Sequence, residues 1–136
     1  MEYAKSFKEL QVYKVSRTLA SDIFYLSKTF PSEEKFSLTE QIRRSSRLIG
    51  AQIADSWAKR RCENLFVNKL SDADSEQYKS QHWIEIAFEN NYISEQTMLD
   101  LLSQCRAIGK MLSAMIDKAP QFCKKRTSNL NTQNEF

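Results

Sequence analysis

Few residues in this chain have the types and spacing needed for bond-making chemistry. His82 is the only histidine, so neither a histidine-based triad nor a two-histidine metal site can be built within one chain. Beside Trp83 it reads as a surface or interface residue. A di-iron site in a helical bundle takes Glu-x-x-His from two helices, and one histidine does not supply that pattern. The carboxylates Glu33 and Glu34, Asp72, Asp74 and Glu76, and the i, i+4 pair Glu85 and Glu89 show no ligand pattern. Cys62, Cys105 and Cys123 are odd in number and lack CxxC spacing, which fits free thiols in a reducing compartment. Cys62 follows Lys59, Arg60 and Arg61, surroundings that could activate a thiol, but an inert thiol is the better reading. Gly50 and Gly109 lie too far apart for a nucleotide-binding fingerprint. No catalytic residue, metal or cofactor is expected, and an enzyme is the least supported class.

The chemistry left is ionic. Arg43, Arg44 and Arg47 stand at one end of a predicted helix, and Lys59, Arg60 and Arg61 at the other. These six are the candidate nucleic-acid-binding residues, because guanidinium groups contact phosphate in a bidentate manner. Some have competing partners. Glu40 is four residues before Arg44 and Asp55 four before Lys59, whereas Arg47 has no such carboxylate. Asp72, Asp74 and Glu76 are alternative partners for Arg43 and Arg44 across the bundle. A cationic trio at a helix C-terminus is also favoured by the dipole alone. The net charge of +3 is weak evidence for an anionic partner. Tyr3, Phe7 and Tyr13 could stack on bases, but Phe7 suits a staple that fixes the first helix.

The elements that must position these residues are helical. The chain has 136 residues, with 2 Gly and 2 Pro, which fits one domain and disfavours a many-stranded sheet. Ser6 to Glu9 reads as a capping box, followed by Leu10, Val12, Val15, Leu19, Ile23 and Leu26 in a helix that stops near Thr29, ahead of Pro31. Ser37 to Glu40 is a second capping box. From it a seam of Leu38, Ile42, Ser45, Ile49, Ile53 and Ser56 predicts a helix to about Arg61. A third helix is expected from about Glu63 to Asn90, with Phe66, Leu70, Ala73, Gln77, Ile84 and Phe88 inward and a weak middle at Ser71 to Glu76. Asn90 and Asn91 suit a C-cap. Ser94 suits the next N-cap, with Ile93 and Met98 at staple spacing. Met98, Leu102, Cys105, Leu112 and Ile116, widened by Leu101, Ile108 and Met115, give a fourth helix that Pro120 ends. The expected fold is all-α, an up-down-up-down antiparallel four-helix bundle over residues 1–120. Residues 121–136 read as a polar, disordered tail in which Lys124, Lys125 and Arg126 could touch an anionic surface.

The second helix has two faces that avoid water. Opposite its core seam lie Arg43, Arg47, Gly50, Ala51, Ala54, Ala58 and Arg61, with Trp57 on the flank. Small residues beside a Trp suit a close helix contact, so Gly50, Ala54 and Trp57 are the candidate oligomer interface. The alternative is that this face packs on another helix of the same bundle.

Several elements resemble a known family. They are Phe7-x-x-Leu10-x-Val12-Tyr13, then Phe30-Pro31-x-x-Glu34-x-Phe36-x-Leu38-Thr39-x-Gln41-Ile42-Arg43-Arg44-Ser45-Ser46, then Ile49, Ile53-Ala54 and Lys59-Arg60, and finally Asn91-Tyr92-Ile93 and Ile108-Gly109-Lys110-Met111-Leu112. Together, over about residues 6–118, they resemble the four-helix-bundle proteins encoded in intervening sequences of 23S rRNA genes. The accessory variability determinants of diversity-generating retroelements are similar. Gln52-Ile53-Ala54-Asp55-Ser56 stands where the family usually reads Asn-Ile-Ala-Glu-Gly, Asp74-Ser75-Glu76 where it reads Gly-Ser before Glu, and Asn91 where it reads Gly. The resemblance implies a bundle that assembles as a ring, typically a homopentamer, without catalytic residues. In the retroelement branch it implies binding of nucleic acid and of a reverse transcriptase through basic outer surfaces.

The expectation is therefore a non-enzymatic, oligomeric bundle that binds RNA or DNA through its second helix. The alternative is a protein-protein interaction scaffold without nucleic-acid binding. Met1 to Lys5 shows no apolar stretch of the signal-peptide type, and no apolar run is long enough for a bilayer, so the cytoplasm is the default location.

Overall fold

The computed structural model of the protein describes residues 4–123. Four long helices carry the fold: α1 (Gln11–Ser27), α2 (Glu40–Ala58), α3 (Glu63–Glu89) and α4 (Glu95–Asp117), followed by a one-turn α5 (Ala119–Phe122). Each long helix packs on its neighbours in sequence, and α1 closes the ring against α4. The result is the antiparallel up-down-up-down bundle, with no strand among the described residues.

The seam of α2 is buried at every expected position, Leu38, Ile42, Ser45, Ile49, Ile53 and Ser56. Serine is tolerated there because its hydroxyl can bond back along its own helix. Ser56 Oγ donates to Ile53 O at 2.6 Å. At the α2–α3 contact Ser80 Oγ donates to Ser45 Oγ at 3.1 Å, so two buried hydroxyls satisfy one another. Along α3 the buried positions are Phe66, Leu70, Ala73, Gln77, Ser80, Ile84 and Ala87. The step after Ile84 is three residues, not four, so Ala87 takes the inward place expected for Phe88, which is half-buried. The polar stretch Ser71 to Glu76 does not interrupt α3, which runs unbroken for 27 residues. On α4 the core line is Leu101, Leu102, Cys105, Ile108, Leu112 and Met115, while Met98 and Ile116 sit at its margin.

The helix ends differ from expectation in instructive ways. Phe7–Glu9 is a short 3-10 turn, and α1 begins only after Leu10, whose backbone is extended. Ser6 accepts from the Lys8 N–H, and the Glu9 carboxylate reaches back to the Lys5 N–H. The second capping box does not form. The chain passes through a 3-10 turn at Ser32–Glu34 and a π-helical turn at Lys35–Thr39 straight into α2, so Ser37 has no helix terminus to cap. α1 and α2 stop at Ser27 and Ala58, ahead of the expected Thr29 and Arg61.

The α3–α4 connection follows its sequence signals closely. Asn91 has φ 63°, the left-handed conformation. Tyr92 N–H donates to Ala87 O and Asn91 N–H to Phe88 O, both at 2.9 Å, the bond pair of a Schellman motif. Ser94 then caps α4 by accepting from Thr97 N–H at 3.1 Å. Residues 121–123, expected in the tail, instead finish a packed turn: Ala119 is buried and the Phe122 ring stacks on Phe66 with centroids 5.9 Å apart. Lys124, Lys125 and Arg126 lie outside the described residues.

Candidate nucleic-acid interface

The basic residues lie at the two ends of α2, the second group just past its last residue, Ala58, roughly 25 Å apart at about 1.5 Å per residue. The N-terminal group divides in two. Arg43 is half-buried: its Nε donates to Ser27 Oγ at 2.7 Å, and its guanidinium lies 4.7 Å from the Phe24 ring centroid. It therefore ties α2 to α1, and the anticipated acidic residues of α3 do not pair with it. Lys69 bridges Asp55 and Asp72 at 3.4 and 3.7 Å, and Glu76 pairs with Lys79 at 3.4 Å. Arg44 and Arg47 are exposed and form no ion pair among the described residues, so the expected Glu40–Arg44 bridge is not made. Arg47 leans on the same Phe24 ring at 5.1 Å. A planar cation is held against an aromatic face by the ring quadrupole without losing its outward N–H groups.

The C-terminal group follows the same pattern. Lys59 pairs with Asp55 at 3.8 Å. Arg60 lies 3.7 Å from the Trp57 ring centroid and donates from Nε to Trp57 O at 2.9 Å, which satisfies a carbonyl of the last turn. Arg61 is exposed.

The small-residue face of α2 is partly used inside the chain. Gly50 is buried against α1: a Cβ there would sit 3.3 Å from Ser16 Oγ and 3.5 Å from Tyr13 Cε1. Its close helix contact is thus met by α1. Ala51 is exposed, and Ala54 and Trp57 are half-buried. Between α1 and α2 lies an open hollow of about 680 Å³, with Gly50 and Ala54 in its floor and Tyr13, Arg17, Phe24 and Arg47 around it. A second hollow of about 390 Å³, lined by Lys35, Phe36, Glu40, Arg43, Arg44 and Arg47, shares Arg47 with the first.

The pattern of the 23S rRNA-intervening sequence protein matches residues 8–114, most of the chain. The chain belongs to that family. A crystal structure from Bacteroides thetaiotaomicron, of a protein with unknown function from the S23 ribosomal protein family, is similar at TM-score 0.70 and 29% identity, covering 78% of this chain and 95% of that one. No curated protein matches.

The chain exposes more than its arginines. Phe36 is 78% exposed and Tyr25 64%. Burying a phenylalanine stabilises a fold by about 1.5–3 kcal/mol, which Phe36 forgoes. Lys35 lies 5.3 Å from the Phe36 centroid and Lys28 5.0 Å from that of Tyr25. Of these four only Phe36 was marked in the sequence, and there as part of a family element, not as a binding residue. The available signal was a phenylalanine one step off the Leu38–Ile42 seam with a lysine beside it. Phe7 and Tyr13, by contrast, pack edge to face at 4.9 Å against the bundle, the stapling role expected of Phe7.

The reactive side chains are scattered. Among the described residues no group of three or more His, Cys, Asp or Glu could hold a metal ion, and no helix is long and apolar enough to cross a membrane. His82 is exposed and lies edge-on to Trp83 at 4.7 Å. Burial pushes the Cys105 thiol up to about 12. It also raises Cys123, with the nearby Glu63 charge adding to the effect.

Proposed function

We propose that the protein is a non-enzymatic, oligomeric bundle of the cytoplasm that binds nucleic acid, RNA or DNA, through the basic residues of α2. The observation that carries this reading is the pair Arg44 and Arg47, exposed on one helix without a carboxylate partner among the described residues and bordering an open hollow. Arg61, Lys59 and Arg60 extend the positive surface toward the other end. Arg43 acts mainly by positioning, since its guanidinium is engaged with Ser27 and Phe24. Assembly as a homopentamer rests on likeness to the family, and service as an accessory to a reverse transcriptase on likeness to the retroelement proteins.

The test is a salt titration of binding to a structured RNA and a duplex DNA. Each phosphate neutralised contributes a log–log slope of about −0.7 to −0.9. Replacing Arg44 and Arg47, or Lys59, Arg60 and Arg61, with Gln should weaken binding and flatten the slope. Unchanged affinity and slope in both variants rule out α2 as the binding element.

A second reading, a protein-protein interaction scaffold, is favoured by the hollow whose floor includes Ala54. Under it Ala54→Arg breaks assembly seen by light scattering, while circular dichroism stays helical, and nucleic acid leaves the mass unchanged.

A further inference from the structure

We propose that the corner where α1 passes to α2 binds an unpaired nucleic-acid strand, stacking a base on Phe36 and holding the adjoining phosphates with Arg44 and Arg47. This rests on the nucleic-acid reading above and narrows it from nucleic acid in general to single strands.

The corner combines two features that phosphate binding alone does not require. The first is aromatic surface left in water. Phe36 stands on the π-helical turn at Lys35–Thr39 and is 78% exposed, and Tyr25, near the end of α1, is 64% exposed. The second is an excess of positive charge around those rings, with Asp22 the one carboxylate bordering the hollow on the Tyr25 side. The hollow beside Phe36 is bordered by Lys35, Arg43, Arg44 and Arg47 against one carboxylate, Glu40. Two further acids lie in this connection: Glu34 accepts the Tyr92 phenol at 2.8 Å, and Glu33 is exposed beside it. Aromatic platforms alternating with cations are what a strand with free bases can use: the rings meet the base faces, the cations meet the backbone. In a duplex those faces are already stacked and unavailable. The arrangement is also continuous, because Arg47 borders both hollows and so links Phe36 to the side where Phe24 and Tyr25 lie. A strand running across α2 at this level meets Phe36, then Arg44 and Arg47, then Tyr25 with Lys28 beside it.

The experiment measures binding of the full chain to a short, unstructured uridine-rich RNA and to an RNA duplex of equal length, across a salt series, with light scattering on each variant. The expected result is preference for the single strand and a loss of about tenfold on it for Phe36→Ala, within the range that stacking one base provides. Phe36→Trp should restore it. The salt slope should not change in either Phe36 variant, because stacking displaces no counterions, whereas Arg44→Gln with Arg47→Gln should flatten it. Equal affinity for strand and duplex overturns the proposal, as does a Phe36→Ala protein that loses nothing. A change of assembled mass in Phe36→Ala also overturns it, since Phe36 is then a subunit contact. Those outcomes leave nucleic-acid binding through α2 standing. Absence of salt-dependent binding to either RNA removes the broader reading itself.

Discussion

Arg43 Nε donates to Ser27 Oγ at 2.7 Å, so the first turn of α2 is fastened to the last residue of α1. Its guanidinium also rests on Phe24. A hydrogen bond to a charged group contributes about 1.5–3 kcal/mol. Half-exposure reduces this, so Arg43→Ala is expected to lower urea-unfolding stability by about 1–2 kcal/mol. Arg43→Lys should recover little, because an ammonium cannot reproduce both the planar stacking and the directed N–H. A fully stable Arg43→Ala protein with weakened nucleic-acid binding would reassign Arg43 to phosphate contact.

Gly50 is buried where α2 packs closely on α1. A methyl group there meets Ser16 Oγ at 3.3 Å, tight enough to offset the helix-propensity gain of about 1 kcal/mol that Ala offers over Gly. Gly50→Ala is therefore expected to be near neutral in thermal unfolding. Gly50→Leu should destabilise by about 1–3 kcal/mol by prising the two helices apart. If Gly50→Leu keeps monomer stability and only disrupts an oligomer, α1 is not what Gly50 accommodates.

Asn91 holds a left-handed conformation at φ 63°, which costs about 1–2 kcal/mol for residues with a Cβ and less for Asn. Asn91→Gly should raise the unfolding midpoint, and Asn91→Val should lower it by about 1 kcal/mol or more. The same ranking is not expected at Asn90, whose φ is −88°.

The thiols should separate in a labelling experiment. Cys62 is exposed, whereas burial raises Cys105 to about 12. At mildly alkaline pH an alkylating reagent should modify Cys62 rapidly and Cys105 only at the rate of unfolding. Peptide mass mapping over time decides this, and early modification of Cys105 would show that the α4 core opens locally.

Tyr92 donates its phenol hydroxyl to Glu34 at 2.8 Å, and this bond is the main cause that raises its pKa above the usual value near 10. The folded state thus holds the proton more tightly than the unfolded chain. Its contribution is complete below about pH 10 and is lost as the pH climbs through the higher folded value. Tyr92→Phe should show a shallower loss of stability on that alkaline limb. An identical limb in both proteins would mean the bond does not persist in solution.

The bundle was readable because its core residues obey a three-four spacing that survives local polarity. Ser45 and Ser56 could be placed inward despite their hydroxyls, since only a helical period puts them in line with Ile42, Ile49 and Ile53. The same logic was less decisive on α3, where spacing permits either Ala87 or Phe88 after Ile84 and the larger side chain was the wrong guide. Ser16, Ser27 and Ser80 were invisible as core residues, because their burial depends on partners that pattern does not reveal: Tyr13 O, Arg43 and Ser45. Ser37 followed by Glu40 carries a cap signature, yet the π-helical turn before α2 removes the terminus it would cap. The basic residues could be found from sequence, but not their division into Arg43 and Arg60, occupied by Ser27 and Trp57, and Arg44, Arg47 and Arg61, which face solvent.

An even number of antiparallel helices returns the chain to where it started, so the segment before α1 and the turn α5 emerge at one end of the bundle, near Cys62. Among the described residues the other end holds the α1–α2 corner and the Asn91 turn. Fluorophores attached at Ser6 or Gln121 therefore stand about a helix length away from Phe36. A circular permutant that joins the native ends and reopens at Asn90–Asn91 would place its new ends beside that corner instead. Two versions of one fold would thus carry the same reporter far from the corner or next to it, turning chain connectivity into a ruler for where a bound strand lies.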